Sequence, residues 1–220
     1  MASSLAWTLP RPWSPTPARR ADAGSAVARG VRDAVADGTL SDLDEPALVA
    51  ACVANQPGAF DLIVERHRRA VYQLCYRYVG NHEDASDLAQ DVFLRAYRGL
   101  RNFRGQSSLA TWLYRIGVNV CLNRVSAKKP ETEAIDEHQF VDARSESPSE
   151  KMLRDERGAR VRAAIAQLPP KQRSTLILRM YHEMSHQEIA DILGSSVGAV
   201  KANFFHALGN LKKLLGDQAF

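Results

Sequence analysis

The chain has 220 residues, enough for one large domain or two small ones, and its 45% hydrophobic and 25% charged content is ordinary for a soluble globular protein. A formal net charge of +4 favours anionic partners only weakly, so the placement of charge says more than its sum. No apolar run approaches the roughly 18 residues of a membrane span, and the Arg- and Pro-bearing N-terminus is a poor secretory signal. With Cys52, Cys75 and Cys121 widely spaced in helical apolar patterns, a reduced cytoplasmic protein is expected.

Residues 1–42 are rich in Pro, Ala, Arg and Ser without periodicity, which predicts a disordered extension. Helical signals begin at Ser41–Glu45, with Pro46 suited to a first turn, and the Gln56-Pro57-Gly58 turn ends that short helix near Asn55. A second helix places Phe60, Ile63, Val64, Val71, Leu74, Cys75 and Tyr78 on one face, and Gly80 stops it. A third, capped by Asn81, carries Ala85, Leu88, Ala89, Val92, Phe93, Ala96, Tyr97 and Leu100 at core-facing spacing. Its opposite face is an acidic stripe, Asp84, Asp87 and Asp91. Such a stripe is ordinarily a solvated face; it also offers acid to a basic partner.

A loop with Arg101, Phe103, Arg104 and Gly105 leads to a fourth helix, with Ser107 as its expected cap. Leu109, Trp112, Leu113, Ile116 and Val120 form its buried stripe; Arg115, Asn119 and Asn123 lie opposite, and Arg124, Lys128 and Lys129 close it. Amides, aromatics and base together suit an anionic ligand, nucleic acid above all. The unit 43–129 contains no convincing period-two strand, so it reads as all-α.

Residues 130–150 set seven acidic side chains against Arg144 alone, the composition of a flexible acidic linker. A second helical unit spans 151–215, followed by a tail, 216–220. Leu153, Val161, Ala164, Ile165 and Leu168 mark its first helix, Pro169-Pro170 separates that from the next, and Thr175–Tyr181 is apolar enough to be buried. Ser185 and Glu188 then have capping-box spacing, Gly194 supplies a sharp turn, and Ser196 caps a helix burying Val197, Val200, Phe204, Leu208, Leu211 and Leu215. Short helix, glycine turn and longer helix make a helix-turn-helix whose second member fits a major groove. Its free face holds Ala199, Lys201, Ala202, Asn203 and His206; Asn pairs with adenine, and Lys with guanine or phosphate.

His182-Glu183-Met184-Ser185-His186 matches the H-E-x-x-H zinc-hydrolase pattern. That chemistry needs both histidines on one helix and a third ligand. The Ser185–Glu188 capping box instead starts a new helix inside the motif, so neither metal nor another cofactor is expected.

In order along the chain, Asp84-x-x-Asp87-Leu88-x-Gln90-Asp91-x-Phe93, Ala96-Tyr97-Arg98, Phe103-Arg104-Gly105, Thr111-Trp112-Leu113-Tyr114-Arg115-Ile116, Asn119, Leu168-Pro169, Glu188-Ile189-Ala190 and Val197-Gly198-Ala199-Val200-Lys201 resemble the extracytoplasmic-function (ECF) group of bacterial sigma factors over about residues 43–215. The resemblance implies a non-enzymatic promoter-specificity subunit of RNA polymerase. Asp84, Asp87, Gln90 and Asp91 would dock on the clamp helices of the polymerase large subunit. Arg101, Phe103, Arg104, Arg115, Asn119, Asn123, Arg124, Lys128 and Lys129 would hold the melted −10 strand, with Asn119 at the position that helps hold a flipped base. Ser196, Ala199, Lys201, Ala202, Asn203 and His206 would read the −35 duplex. The second unit would meet the polymerase flap, the linker would thread toward the RNA exit path, and an anti-sigma factor is a further candidate partner. Many relatives carry Arg where this chain has Asn203 and His206, which implies an altered −35 preference or a lower affinity. The competing reading is a free-standing helix-turn-helix regulator, which would need neither the acidic helix nor the strand reader.

Overall fold

The computed structural model describes residues 40–127 and 148–216. Among these, every regular element is helical. A 3-10 turn, Leu40–Asp42, comes first. The Arg66 guanidinium clamps it by donating to the carbonyls of Ser41 (2.6 Å) and Leu43 (2.9 Å), so the expected extension does not stay structureless to residue 42. Residues 1–39 lie outside the described residues.

Helix α1 (Glu45–Val53) begins where Asp44 Oδ1 accepts the Ala47 N–H at 2.9 Å, with Pro46 in its first turn. Helix α2 (Ala59–Val79) is bounded by Gly58 and Gly80, both at φ 80°, a conformation that favours glycine. Helix α3 (His82–Gly99) is capped by Asn81, whose Oδ1 accepts from the Asp84 N–H at 2.8 Å, and it tightens into a 3-10 turn, Leu100–Asn102. Helix α4 (Leu109–Ala127) starts one residue later than expected. Ser108, not Ser107, supplies the cap, its Oγ accepting from the Thr111 N–H at 3.1 Å.

The apolar stripes of α2, α3 and α4 meet in one core that includes Ile63, Leu74, Val92, Leu113 and Val118. A Cβ at Gly117 would stand 2.7 Å from Leu74 Cδ2, so this glycine lets α4 approach α2 closely. Tyr97 departs from the expected core: it is 61% exposed, because Ala85 through Ala96 already fill the α3 seam. Its ring edge rests on Phe60, with centroids 5.0 Å apart. Trp112 and Ile116 are half-buried rather than buried.

The second unit comprises α5 (Pro148–Ala166), α6 (Pro170–Tyr181), α7 (His186–Leu193) and α8 (Val197–Leu215). Residues 148–150, expected in the linker, open α5 instead, since proline is preorganised for a first helical turn. Residues 130–147 and 217–220 lie outside the described residues. Ser185 and Glu188 form the anticipated capping box, with the Ser185 N–H donating to Glu188 Oε2 at 2.8 Å and the Glu188 N–H to Ser185 Oγ at 3.2 Å. Those bonds hold the Glu188 carboxyl below the usual range. Gly194 (φ 58°) makes the turn into α8.

Two burial expectations change here. The buried stretch of α6 is Arg173–Leu178, while Met180 is 57% exposed, because both α8 and the end of α2 cover the first half of α6. On α8, Ala207 takes the core position and Leu208 turns outward. The two units touch along two seams, α7 on α4 and α6 on α2.

Candidate functional site

The outward face of α3 divides into two parts. Asp87 and Gln90 are exposed. Asp91 is held by Arg95 one turn on, through Nε at 3.0 Å and Nη2 at 2.9 Å. Asp84 is half-buried: Arg124 of α4 reaches it at 2.5 Å, and Asn81 Nδ2 donates to its other oxygen at 2.8 Å. One acid and one base expected on different surfaces thus neutralise each other. The same face continues into apolar side chains that the sequence reading does not place there, Leu94 (55% exposed) and Tyr97. A signal exists for Leu94, which stands four residues beyond Gln90; the spacing of Tyr97 points to the core instead.

The loop after α3 and the start of α4 build a cleft of about 280 Å³ lined by Asn102, Phe103, Arg104, Gln106, Ser107, Trp112, Arg115 and Asp191. Phe103 packs on Trp112 with ring centroids 5.2 Å apart and planes at 48°. A Cβ at Gly99 would stand 3.3 Å from the Trp112 ring, so glycine there lets the indole lie across the end of α3. Arg104 is exposed, and Arg101 donates to Asn55 Oδ1 at 3.0 Å. Farther along α4, Asn119 and Asn123 point to solvent. Lys128 and Lys129 lie outside the described residues. Flat aromatic surface, guanidinium and amide groups on one loop–helix corner can stack bases and hold phosphates.

Arg115 does not stand free in this cleft. It donates to the main-chain carbonyl of Asp191, on α7, in a short hydrogen bond. One residue earlier, the Tyr114 hydroxyl meets His182 Nδ1 at 3.0 Å, with the rings edge-on at 4.9 Å. Burial first, then the Arg77 charge, pushes His182 down to about 4, so the imidazole is neutral near pH 7. Local spacing carries no signal for these contacts, since they join residues far apart in the chain.

On α8, Ser196 Oγ accepts from the Ala199 N–H at 3.2 Å, fixing the helix start. Ala199, Lys201, Ala202 and His206 are exposed and Asn203 is half-buried, so the expected reading face is presented together. Phe205, unanticipated, is 74% exposed beside them.

The H-E-x-x-H histidines fall on separate elements: His182 follows α6, and His186 opens α7. Among the described residues, no group of three or more His, Cys, Asp and Glu side chains is placed to hold a metal ion. Burial and the Asp61 charge push the Cys52 thiol up to about 11, while Cys75 contact and burial raise Cys121 further, so neither is an activated thiol. No helix among the described residues is long and apolar enough to cross a membrane.

The sequence matches the family models "Sigma-70 region 2" over residues 63–131 and "Sigma-70, region 4" over residues 158–211. It is 35% identical to the RNA polymerase sigma-H factor of Pseudomonas aeruginosa, an alignment covering 80% of this chain and 96% of that protein. It is 34% identical to the ECF RNA polymerase sigma factor SigW of Bacillus subtilis, covering 72% of this chain and 90% of that one. Among solved structures it resembles CnrH in complex with the cytosolic domain of CnrY, with a TM-score of 0.59 and 26% identity over 76% of this chain and 94% of that one. Likeness of fold extends to the sigma factor RpoE of Bartonella quintana, solved with the anti-sigma factor NepR, at TM-score 0.55 and 22% identity over 72% and 97% of the two chains. A free-standing helix-turn-helix regulator does not account for the region 2 match over α2 to α4. With both regions matched in order, and such relatives spanning most of its length, the chain belongs to the ECF group of the sigma-70 family, the RNA polymerase sigma factors that direct transcription initiation.

Proposed function

We propose that this sigma factor divides promoter recognition between its two helical units, 43–129 and 151–215, and brings core RNA polymerase to the sequence so chosen. It acts without catalysis of its own. The loop 101–107 and α4 take the melted non-template −10 strand: Phe103 and Trp112 supply stacking surface, Arg104 and Arg115 charge, and Asn119 and Asn123 hydrogen bonds to base edges. The α8 face of Ala199, Lys201, Ala202, Asn203 and His206, positioned by the Ser196 cap, reads the −35 duplex in the major groove. The outward face of α3 docks on basic helices of the polymerase clamp through Asp87, Gln90 and Asp91, with Leu94 and Tyr97 as its apolar part. The second unit meets the polymerase flap, and an anti-sigma factor is the further partner.

The observation that carries this reading is the aromatic cleft itself. Phe103 packs on Trp112 in the lining of a cleft of about 280 Å³, and the same helix exposes Asn119 and Asn123 farther along. Duplex readers have little use for a flat apolar corner; a strand with unstacked bases does. The test is run-off transcription with purified core polymerase on fragmented genomic DNA, mapping 5′ ends. Start sites that require this protein and share spaced −35 and −10 elements are the expected result. A Trp112→Ala chain that forms holoenzyme and opens those promoters as well as the unaltered protein would remove the cleft from the reading.

A further inference from the structure

Leu94 and Tyr97 stand one turn apart on α3 and are 55% and 61% exposed. The Tyr97 ring meets half-buried Phe60, in the first turn of α2, edge-on with centroids 5.0 Å apart. Two aromatic rings and an aliphatic side chain thus make an apolar patch shared by two helices. Carboxylates flank it: exposed Asp61 follows Phe60, and exposed Asp87 lies two turns before Leu94 on the same face of α3.

The chain enters the fold beside this patch. A Cβ at Gly58 would stand 4.0 Å from Leu40 Cδ1, so Leu40 is held two residues from Phe60. Arg66 fixes the carbonyls that follow, those of Ser41 and Leu43. Ahead of Leu40 the sequence carries a segment of matching chemistry, residues 5–20. It holds Trp7 and Trp13, Pro10, Pro12, Pro15 and Pro17, and Arg11, Arg19 and Arg20, with no Asp or Glu before Asp22. Proline-rich segments dock on aromatic surfaces at little cost in conformational freedom. Arginines beside the prolines pair with carboxylates beside the rings. Residues 21–39 can span more than about 60 Å when extended, so the segment reaches the patch with slack.

We infer that residues 5–20 dock in cis on the patch of Phe60, Leu94 and Tyr97, and compete there with core polymerase. The competition rests on the assignment of α3 to polymerase; the docking itself does not. A tether of this length holds its two ends at an effective concentration on the order of 1 mM. A contact with an intrinsic dissociation constant of about 0.1 mM is then closed in about nine chains of ten. That population lowers the apparent affinity for polymerase by about tenfold. A weak contact therefore suffices, and polymerase displaces it by shifting the population alone.

The test places a nitroxide spin label on Ser14→Cys in the full chain, in a Cys52→Ser background, and reads the backbone amide signals by NMR. The expected result is selective broadening at Phe60, Asp61, Leu94 and Tyr97. It is lost when Trp7→Ala and Trp13→Ala are added, and that chain binds core polymerase about tenfold more tightly in titration calorimetry. Absence of selective broadening at the patch overturns the docking. Broadening that passes from a spin-labelled chain to a separate, isotope-marked copy assigns the patch to a second molecule and overturns docking in cis. Broadening at the patch with no gain in polymerase affinity from the tryptophan changes overturns the competition. Asp87→Arg with Asp91→Arg then separates the causes. If that chain loses polymerase, the competition alone has failed; if it binds as before, the assignment of α3 to polymerase has failed with it.

Discussion

The two helices proposed for promoter DNA are presented in opposite ways. Helix α8 holds Ala199, Lys201, Ala202 and His206 in water, backed by α5, α6 and α7. Helix α4 exposes Asn119 and Asn123, but its Tyr114–Arg115 side lies under α7, and its aromatic corner shares a wall with Asp191. The difference follows from the chemistry each needs. A duplex is read with small polar and charged groups that are stable in water. A melted strand is read with aromatic faces, whose exposure costs free energy that a covering helix recovers. On the proposed assignment, the helix that reads the melted strand is the one partly covered by another helix, at Tyr114 and Arg115.

The contrast can be broken most severely from a third surface. Asp87→Arg with Asp91→Arg is expected to lower core-polymerase affinity by at least about a hundredfold, because like charge now faces basic helices. Duplex binding by α8 should stay intact, and titration calorimetry with core polymerase, beside duplex anisotropy, checks both. Asp84→Arg is a poorer probe: Asp84 is half-buried and tied to Arg124 and Asn81, so its loss perturbs the fold as well.

Next in size, Lys201→Ala and Asn119→Ala should separate the two readers. Loss of the Lys201 contact is expected to weaken −35 duplex binding by about 1–3 kcal/mol without altering the opening rate of promoters once bound. Asn119→Ala should do the reverse, slowing opening, followed by a fluorescent base at −10, while duplex affinity holds. Equal losses in both assays from either change would erase the division of labour.

Of the two helices proposed for DNA, acid should act on the seam at α4. His182 faces Arg77 of α2 and the Tyr114 hydroxyl of α4, and its value near 4 in the folded chain compares with an ordinary 6.5. Only the neutral ring suits the seam. Its contribution is therefore complete above about pH 6.5 and fades as pH falls from there toward 4. From about pH 7.5 to 5.5 the equilibrium constant for keeping His182 packed against α4 should drop by about tenfold, and His182→Phe should flatten that profile. Energy transfer between the units is the readout, with duplex binding as the control.

The smallest expected effect is on the α8 side. Ser185→Ala removes the capping box of α7 and should cost about 0.5–2 kcal/mol of thermal stability, with no change in which face α8 presents. Differential scanning calorimetry measures it.

Several elements are legible in the residues alone. Asn81, Gly80, Ser185, Gly194 and Ser196 each mark a helix boundary by their own local chemistry, and each does so here. The apolar spacing of Ala85 through Ala96 finds the seam of α3. The cap of α4 lies one residue from its expected place because Ser107 and Ser108 offer the same hydroxyl, and only the Thr111 N–H distinguishes them. Tyr97 and Leu208 have core spacing but sit at the margin of their stripes, where burial depends on a neighbouring helix being present.

What the sequence determined by itself was local: where helices start and stop, which stripe is apolar, and the ordered motifs that carry the family resemblance. These depend on interactions within a few residues, and so on spacing. The tertiary structure alone decided that Asp84 spends its charge on Arg124, that Arg173 is buried against the end of α2, and that Arg115 and Tyr114 lie beneath α7. Those partners are 40 to 95 positions apart. Nothing in spacing encodes such pairings, because a charged side chain at a helix surface looks the same whether it meets water, DNA or another part of its own chain.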